Sequence, residues 1–199
     1  MKTSEIDKLI NDISKLPGLG RRSAERIALY LLKNKDRVLL PLVQTLNEAN
    51  LKVVNCDTCG NLDMVNPCSL CENNKRDKHT ILVVEDISDL WTFERIGFFR
   101  GTYHILGGSL SAINGIGVDE LRIKKLMLRI DSQDVKEVIL ALSTTIEGQT
   151  TSHVVADKLE VFEKLIVTRL AQGVPIGGEV HFFDENTLNT AFQSRKKIT

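Results

Sequence analysis

The chain has 199 residues, 42% of them hydrophobic and 26% charged, with 26 Lys plus Arg balanced by 26 Asp plus Glu. That length suits one or two domains with a sizeable core, and the zero formal net charge excludes a globally basic nucleic-acid coat and an acidic disordered tail while leaving a local basic face open. No apolar run approaches about 18 residues, and the opening MKTSEIDKLIND lacks the apolar stretch of a signal peptide, so a cytoplasmic protein with no membrane contact is expected.

Ser4, with Asp7 three residues on, predicts a capping box for a helix whose apolar face is Ile6, Leu9, Ile10 and Ile13. Pro17, Gly18 and Gly20 then break the chain. A second helix is expected from about Ser23, where Ala24, Ile27, Ala28, Leu31 and Leu32 recur at helical spacing. A third is weaker because Pro41 interrupts it, though Leu42, Val43, Leu46 and Ala49 still form a face. None of these helices is stable alone, so residues 1–53 are expected to pack as a small helical unit.

Residues 56–78 are loop-like, rich in Cys, Asn, Asp, Gly and Pro. From Ile81 the pattern changes. ILVVE reads as a buried strand, DISDLWTFERIG as a helix, YHILGG as a strand, VDELRIKKLMLRI as a helix, EVILALS as a strand and SHVVADKLEVF as a helix. LIVTRLA is ambiguous by period, but its Ile, Val and Thr favour a fourth strand. The alternation predicts an α/β fold with a mostly parallel sheet built from right-handed βαβ units. The tail is turn-rich around GVPIGGE and then helical to Arg195.

Four cysteines fall in one stretch, as Cys56-Asp-Thr-Cys59 and Cys68-Ser-Leu-Cys71. A disulfide framework does not suit a reducing compartment. Each Cys-x-x-Cys turns two thiolates back on one ion, and two such knuckles complete a closed tetrahedral shell that suits structural Zn²⁺, with an iron–sulfur cluster as the chemical runner-up. Around LPGLGRRSAERIALYLL, a Gly-x-Gly turn leads into a helix start whose free N–H groups favour phosphate. Arg21, Arg22 and Arg26 cluster there, and from Lys15 to Arg37 seven basic residues face two acidic ones. A basic run is often only a solvated face; beside this turn it reads as a DNA-binding surface.

These motifs, in this order, resemble the RecR family of bacterial recombination mediators over nearly the whole chain. Residues 16–32 are similar to its helix-hairpin-helix, the four cysteines to its zinc finger, and ILVVEDISDL with FRGTYHILGGSLSAINGIG to its topoisomerase-primase (Toprim) domain. RLAQGVPIGGEVHFFDENTL is similar to its C-terminal segment. The resemblance implies a division into residues 1–53 (helix-hairpin-helix), 54–78 (zinc finger), 79–172 (Toprim) and 173–199 (packing and oligomerisation). It also implies zinc on Cys56, Cys59, Cys68 and Cys71, and DNA contacts by Arg22 and Arg26. Glu85 matches the Toprim glutamate. The DxDxEGE-like run of catalytic Toprim enzymes aligns with Ser143-Thr-Thr145-Ile-Glu147-Gly-Gln149, so both aspartates are missing. Gln149 stands in place of a usual glutamate, and Ser109 and Ala112 where the family tends to show Arg and Pro.

Glu85 and Asp86 end a strand where α/β folds bind ligands, but Asp86 is also a natural cap for the next helix. The histidines at 79, 104, 153 and 181 show no ligand spacing and read as ordinary core or surface residues. Trp91 and Phe93 read as packing residues. GVPIGGE lacks the Lys-Ser/Thr of a phosphate loop, so its glycines read as turn formers. The expected function is therefore a non-catalytic, nucleoid-associated mediator that binds single- and double-stranded DNA with weak sequence dependence. The resemblance implies a tetrameric ring that works with RecO and RecF to load RecA at single-stranded gaps. Glu85 and Glu147 are expected to dock a partner. The rival reading is a metal-dependent Toprim phosphoryl-transfer enzyme, primase-like or nuclease-like, and the missing aspartates separate the two.

Overall fold

The computed structural model describes residues 4–195 and 197, and the chain falls into two units, residues 1–53 and 54–199. In the first unit, Ser4 accepts from the Asp7 amide while the Asp7 carboxylate accepts from the Ser4 amide, and this capping box starts α1 (Glu5–Ser14). Helix α2 (Arg21–Lys33) begins two residues before Ser23, because extended Gly20 is the N-cap. Ala24 and Ala28 are fully buried between the two helices with Ile10, and Leu9 and Ile13 pack beside them. Alanines at this crossing leave nothing to hold the helices apart. After a π-turn at Lys35–Leu39, α3 runs Leu40–Lys52. Pro41 lies in its first turn, where a missing N–H costs nothing, so it begins the helix rather than interrupting it. The apolar face of α3 is present, but Leu42, Val43 and Leu46 on it are exposed.

The second unit opens with the short antiparallel pair β1 (Val54–Asn55) and β2 (Leu62–Asp63), then the single turn α4 (Ser69–Glu72). Four parallel strands follow: β3 (Thr80–Val84), β4 (Thr102–Ile105), β5 (Glu137–Ala141) and β6 (Ile166–Arg169), in the order β4-β3-β5-β6. LIVTRLA is thus a strand. The helices α5 (Ile87–Ile96), α6 (Ile123–Ser132) and α7 (Ile146–Leu159) connect them, and a 3₁₀ turn at Val180–Phe182 precedes α8 (Glu185–Gln193). Alternating residues of β3 feed two cores, as a pleated strand covered on both sides requires. Ile81 and Val83 join Val138, Leu140, Leu126, Ile130, Val155 and Leu159 under α6 and α7. Leu82 and Val84 join Tyr103, Ile105 and Leu90 under α5.

Helix α7 starts six residues before the predicted Ser152, capped by Thr145, whose hydroxyl accepts from the Gly148 amide at 3.1 Å. Its buried stripe is Gly148, Thr151, Val155 and Leu159, so half of it carries no hydrophobic signal. Trp91 is not a core residue: it is 55% exposed, and its indole N–H donates to Asn61 Oδ1 at 3.2 Å. Phe93 packs in the second core as expected. Among the described residues no helix is long and apolar enough to cross a membrane.

His104 on β4 is wholly buried, with Nε2 3.0 Å from the Arg122 carbonyl oxygen. Burial pushes its pKa down to about 3 against the opposing pull of that hydrogen bond, and the cations Arg129 and Arg122 push the same way as burial. The folded protein keeps His104 neutral, whereas the unfolded chain takes up a proton below its ordinary value of 6.5. This contribution to stability is therefore lost as pH falls, by up to about 1.4 kcal/mol per pH unit. Urea unfolding of metal-loaded protein from pH ~6.5 to ~5 should show a shallower decline for His104→Gln than for wild type; equal slopes would contradict the buried neutral assignment.

Candidate metal centre and nucleic-acid interface

The knuckle between β1 and α4 is built by local backbone bonds. The Cys56 amide donates to the Asn61 carbonyl at 2.7 Å and the Gly60 amide to the Cys56 carbonyl at 2.8 Å, which curls residues 56–61 around the first sulfur pair. The second pair is brought in by the Cys68 amide, which donates to Cys56 Sγ at 3.3 Å, and the Asn61 amide donates to Cys59 Sγ at 3.4 Å. Asp63 holds the start of α4 by accepting from the Ser69 amide and hydroxyl, at 2.8 and 2.7 Å. These bonds hold its carboxyl below the ordinary carboxylate range.

All four sulfurs lie within 4.8 Å of one another; Cys56, Cys59 and Cys68 are buried and Cys71 half-buried. Cys56 and Cys71 sulfurs are 3.9 Å apart and Cys59 and Cys68 sulfurs 3.5 Å, too far for disulfides at about 2.05 Å. A tetrahedral ion with bonds of about 2.3 Å spaces its sulfurs about 3.8 Å apart. The charges point the same way. Contact with Cys68 pushes the Cys59 thiol up, with Cys71 and burial adding to it, and the same contact pushes Cys68 down. The cause is mutual repulsion, since four thiolates cannot ionise together in one pocket without a cation. The donor set fits a tetrahedral divalent ion, held by Cys56, Cys59, Cys68 and Cys71. They are the one group of three or more potential ligands so placed among the described residues.

At the sheet's C-terminal edge, Glu85 follows β3 and its Oε1 accepts from the Ser143 amide at 2.7 Å. The Ser143 and Thr145 hydroxyls meet at 2.9 Å. Asp86 caps α5 in a capping box with Asp89. A side chain on Gly148 would collide with the Ser143 carbonyl oxygen, so this helix start needs glycine. Glu147 stands exposed in the first turn of α7, and Gln149 Nε2 donates to the Thr144 carbonyl at 2.8 Å. The positions aligned with the missing aspartates are thus occupied by neutral oxygens that bond one another, and the retained glutamate is tied to backbone.

Arg21 and Arg22 are the first two residues of α2, and Arg26 lies one turn beyond Arg22; all three are exposed. Gly20 offers no side-chain cap, and no acidic residue sits in the first turn. The amides of Arg21, Arg22 and Ser23 have no partner among the described residues, the first helical bond being from Ala24 to the Gly20 carbonyl. Free N–H groups and exposed guanidinium groups share this helix start, which is the chemistry of phosphate binding, although Arg21 Nη1 reaches Asn11 Oδ1 at 3.5 Å.

Sequence reading passed over Arg129 and treated His104 as ordinary. Arg129 is buried on α6 with Ile123, Leu126 and Ile130. The available signal was a basic residue on the apolar stripe of an otherwise regular amphipathic helix.

A helical hairpin, a four-thiol centre and a parallel sheet ending in a glutamate describe a Toprim protein with an added helical unit, and residues 79–171 match the Toprim domain family. Residues 6–50 match the RecR helix-hairpin-helix family and 173–196 the RecR C-terminal family. The chain is 54% identical over 194 residues to Recombination protein RecR of Hyphomonas neptunium, covering 98% of this chain and 96% of that protein. With the same coverage it is 50% identical to the protein of that name from Brucella anthropi and 48% to that of Sinorhizobium fredii. The chain belongs to the RecR family of recombination proteins.

Cys59→Ser removes one of four anionic ligands. Metal analysis should show about one ion per wild-type chain and at least ~100-fold weaker retention in the variant, beyond what outer residues of metal sites contribute. Amide exchange should quicken across residues 56–75 while β3 and β5 stay protected. Wild-type protein without a thiolate-bound metal would contradict the site.

Proposed function

We propose that this chain is a non-catalytic mediator of recombinational DNA repair that grips DNA through α2 and holds structural zinc in its knuckle. The observation that carries the reading is the uncapped, basic start of α2 in a chain that matches recombination proteins from end to end. Arg21, Arg22 and Arg26, with the free amides, contact phosphate oxygens on single- or double-stranded DNA. Such contacts position without reading bases, so binding is weakly sequence-dependent and salt-sensitive. Zinc is favoured for the knuckle because a closed shell of four thiolates leaves no open position for chemistry. One excess of basic charge on a neutral chain is modest; several copies in a ring, tetrameric in this reading, concentrate it. The ring works in the cytoplasm with RecO and RecF to load RecA, and Glu85 and Glu147 form the acidic edge that docks a basic partner such as RecO.

The absence of catalysis in this reading rests on the groups that fill the strand ends. A phosphoryl-transfer site needs several anionic oxygens around Mg²⁺; Ser143 and Thr145 supply hydroxyls bonded to each other, and Glu85 is engaged by the Ser143 amide.

Arg22→Ala with Arg26→Ala should weaken DNA binding at least ~10-fold and reduce the salt slope by about 1–2 per chain engaged, with oligomeric mass unchanged by light scattering. Wild-type affinity and slope in the double variant would overturn the proposed surface. A Mg²⁺-dependent phosphoryl transfer lost in Glu85→Ala would overturn the non-catalytic reading.

A further inference from the structure

Arg129 is 7% exposed. Its guanidinium donates through Nη1 to the Tyr103 carbonyl at 2.6 Å, through Nη2 to Thr102 Oγ1 at 2.8 Å and through Nε to Gln133 Oε1 at 3.1 Å. Every one of these acceptors is neutral. None of the ion pairs among the described residues includes Arg129. A buried cation without a counter-charge is strongly unfavourable, so an anion is required nearby.

The knuckle supplies it. Arg129 lines a solvent-open surface depression together with Asp57 and Thr58, the residues between Cys56 and Cys59. Thr102 and Tyr103, which it grips, lie on β4, whose Ile105 amide donates to the Cys59 carbonyl at 2.8 Å. Burial lowers the pKa of Arg129, and the groups that act to raise it are Cys71, Cys59, Cys56 and Cys68. A second guanidinium reaches the same knuckle: Arg122 Nη2 donates to the Cys56 and Asp57 carbonyls at 3.3 and 3.2 Å. Gly60 makes room for it, since a Cβ there would sit 3.2 Å from Arg122 Cζ. His104 lies by these two arginines and is held neutral, adding no third charge.

We propose that Arg129, with Arg122 beside it, is the counter-charge of the metal–thiolate centre, a positioning residue that favours the loaded knuckle without touching the ion. A divalent ion on four thiolates carries a net charge of about −2, which Arg129 and Arg122 offset alongside Lys78, whose Nζ bonds the Cys71 carbonyl. With the metal gone and the thiols protonated, the same arginines lose their counter-charge. Their presence therefore stabilises the loaded state over the empty one. This inference rests on the reading that the knuckle holds a divalent metal.

The test is Zn²⁺ affinity of the full-length chain in competition with a chromophoric chelator, together with the melting temperature of loaded and chelated samples. Arg129→Met should weaken Zn²⁺ binding about 10–100-fold, the range for outer-shell partners of metal ligands, and shrink the rise in melting temperature that Zn²⁺ brings. Arg129→Lys, which keeps the charge, should recover most of the affinity. Should Arg129→Met fail to fold, Arg122→Gln keeps a polar side chain but drops the charge, and should weaken Zn²⁺ binding several-fold, with Arg122→Lys restoring it. A purely structural role predicts equal loss of stability in loaded and chelated samples with unchanged Zn²⁺ affinity, and that result would overturn the proposal. Wild-type protein that binds no Zn²⁺ would instead overturn the metal reading beneath it.

Discussion

The amide of Ile105 donates to the carbonyl of Cys59 at 2.8 Å and so ties the four-cysteine knuckle to the sheet. Strand β4 is an edge strand, paired only with β3, and an uncovered edge invites pairing with other chains. The knuckle answers that need. Its backbone takes the outward N–H of β4, Arg122 reaches from the start of α6 to the Cys56 and Asp57 carbonyls, and Lys78 Nζ bonds the Cys71 carbonyl just before β3 begins. Trp91 of α5 adds a bond to Asn61. The segment between the cysteines has almost no hydrophobic core of its own, so its shape depends on the sulfurs being held together. Whatever closes the four thiols also finishes the edge of the sheet.

The rest of the second unit is a Toprim frame whose strand ends are tied together by hydrogen bonds. In an α/β sheet the C-terminal edge is where ligands collect. Here that edge is stitched by its own groups, Glu85 to the Ser143 amide and Ser143 to Thr145. The arrangement links the end of β3 to the loop that starts α7. In the first unit, the exposed Arg21, Arg22 and Arg26 and the uncapped start of α2 carry the surface proposed to grip DNA. Grip and scaffold are thus separate in sequence, each with its own core.

Much of this was legible in the residues because the signals were local. Ser4 and Asp7 spelled out the first cap, and the Cys-x-x-Cys pairs placed four thiols together. The alternation of apolar runs gave a parallel sheet, including the ambiguous LIVTRLA. The failures share a cause: a residue whose role is fixed by its neighbours in space. Pro41 was read as a break because its place in the first turn of α3 depends on where the preceding π-turn ends. The start of α7 was missed because Gly148 and Thr151 lie on its buried face, where polarity and small size hide the period. Trp91 was taken for core, yet it faces the knuckle. Arg129 gave no local signal, since its acceptors on Thr102 and Tyr103 lie on β4, distant in sequence.

Amide hydrogen exchange of the full-length protein, resolved residue by residue before and after metal chelation, tests whether the four-cysteine knuckle and the edge strand are one structural unit. Chelation should expose the Ile105 amide together with those of Asn61 and Cys68, while Val83 and Leu140 in the centre of the sheet keep their protection. An Ile105 amide that exchanges at the same rate with and without metal, while Asn61 and Cys68 open, would contradict it.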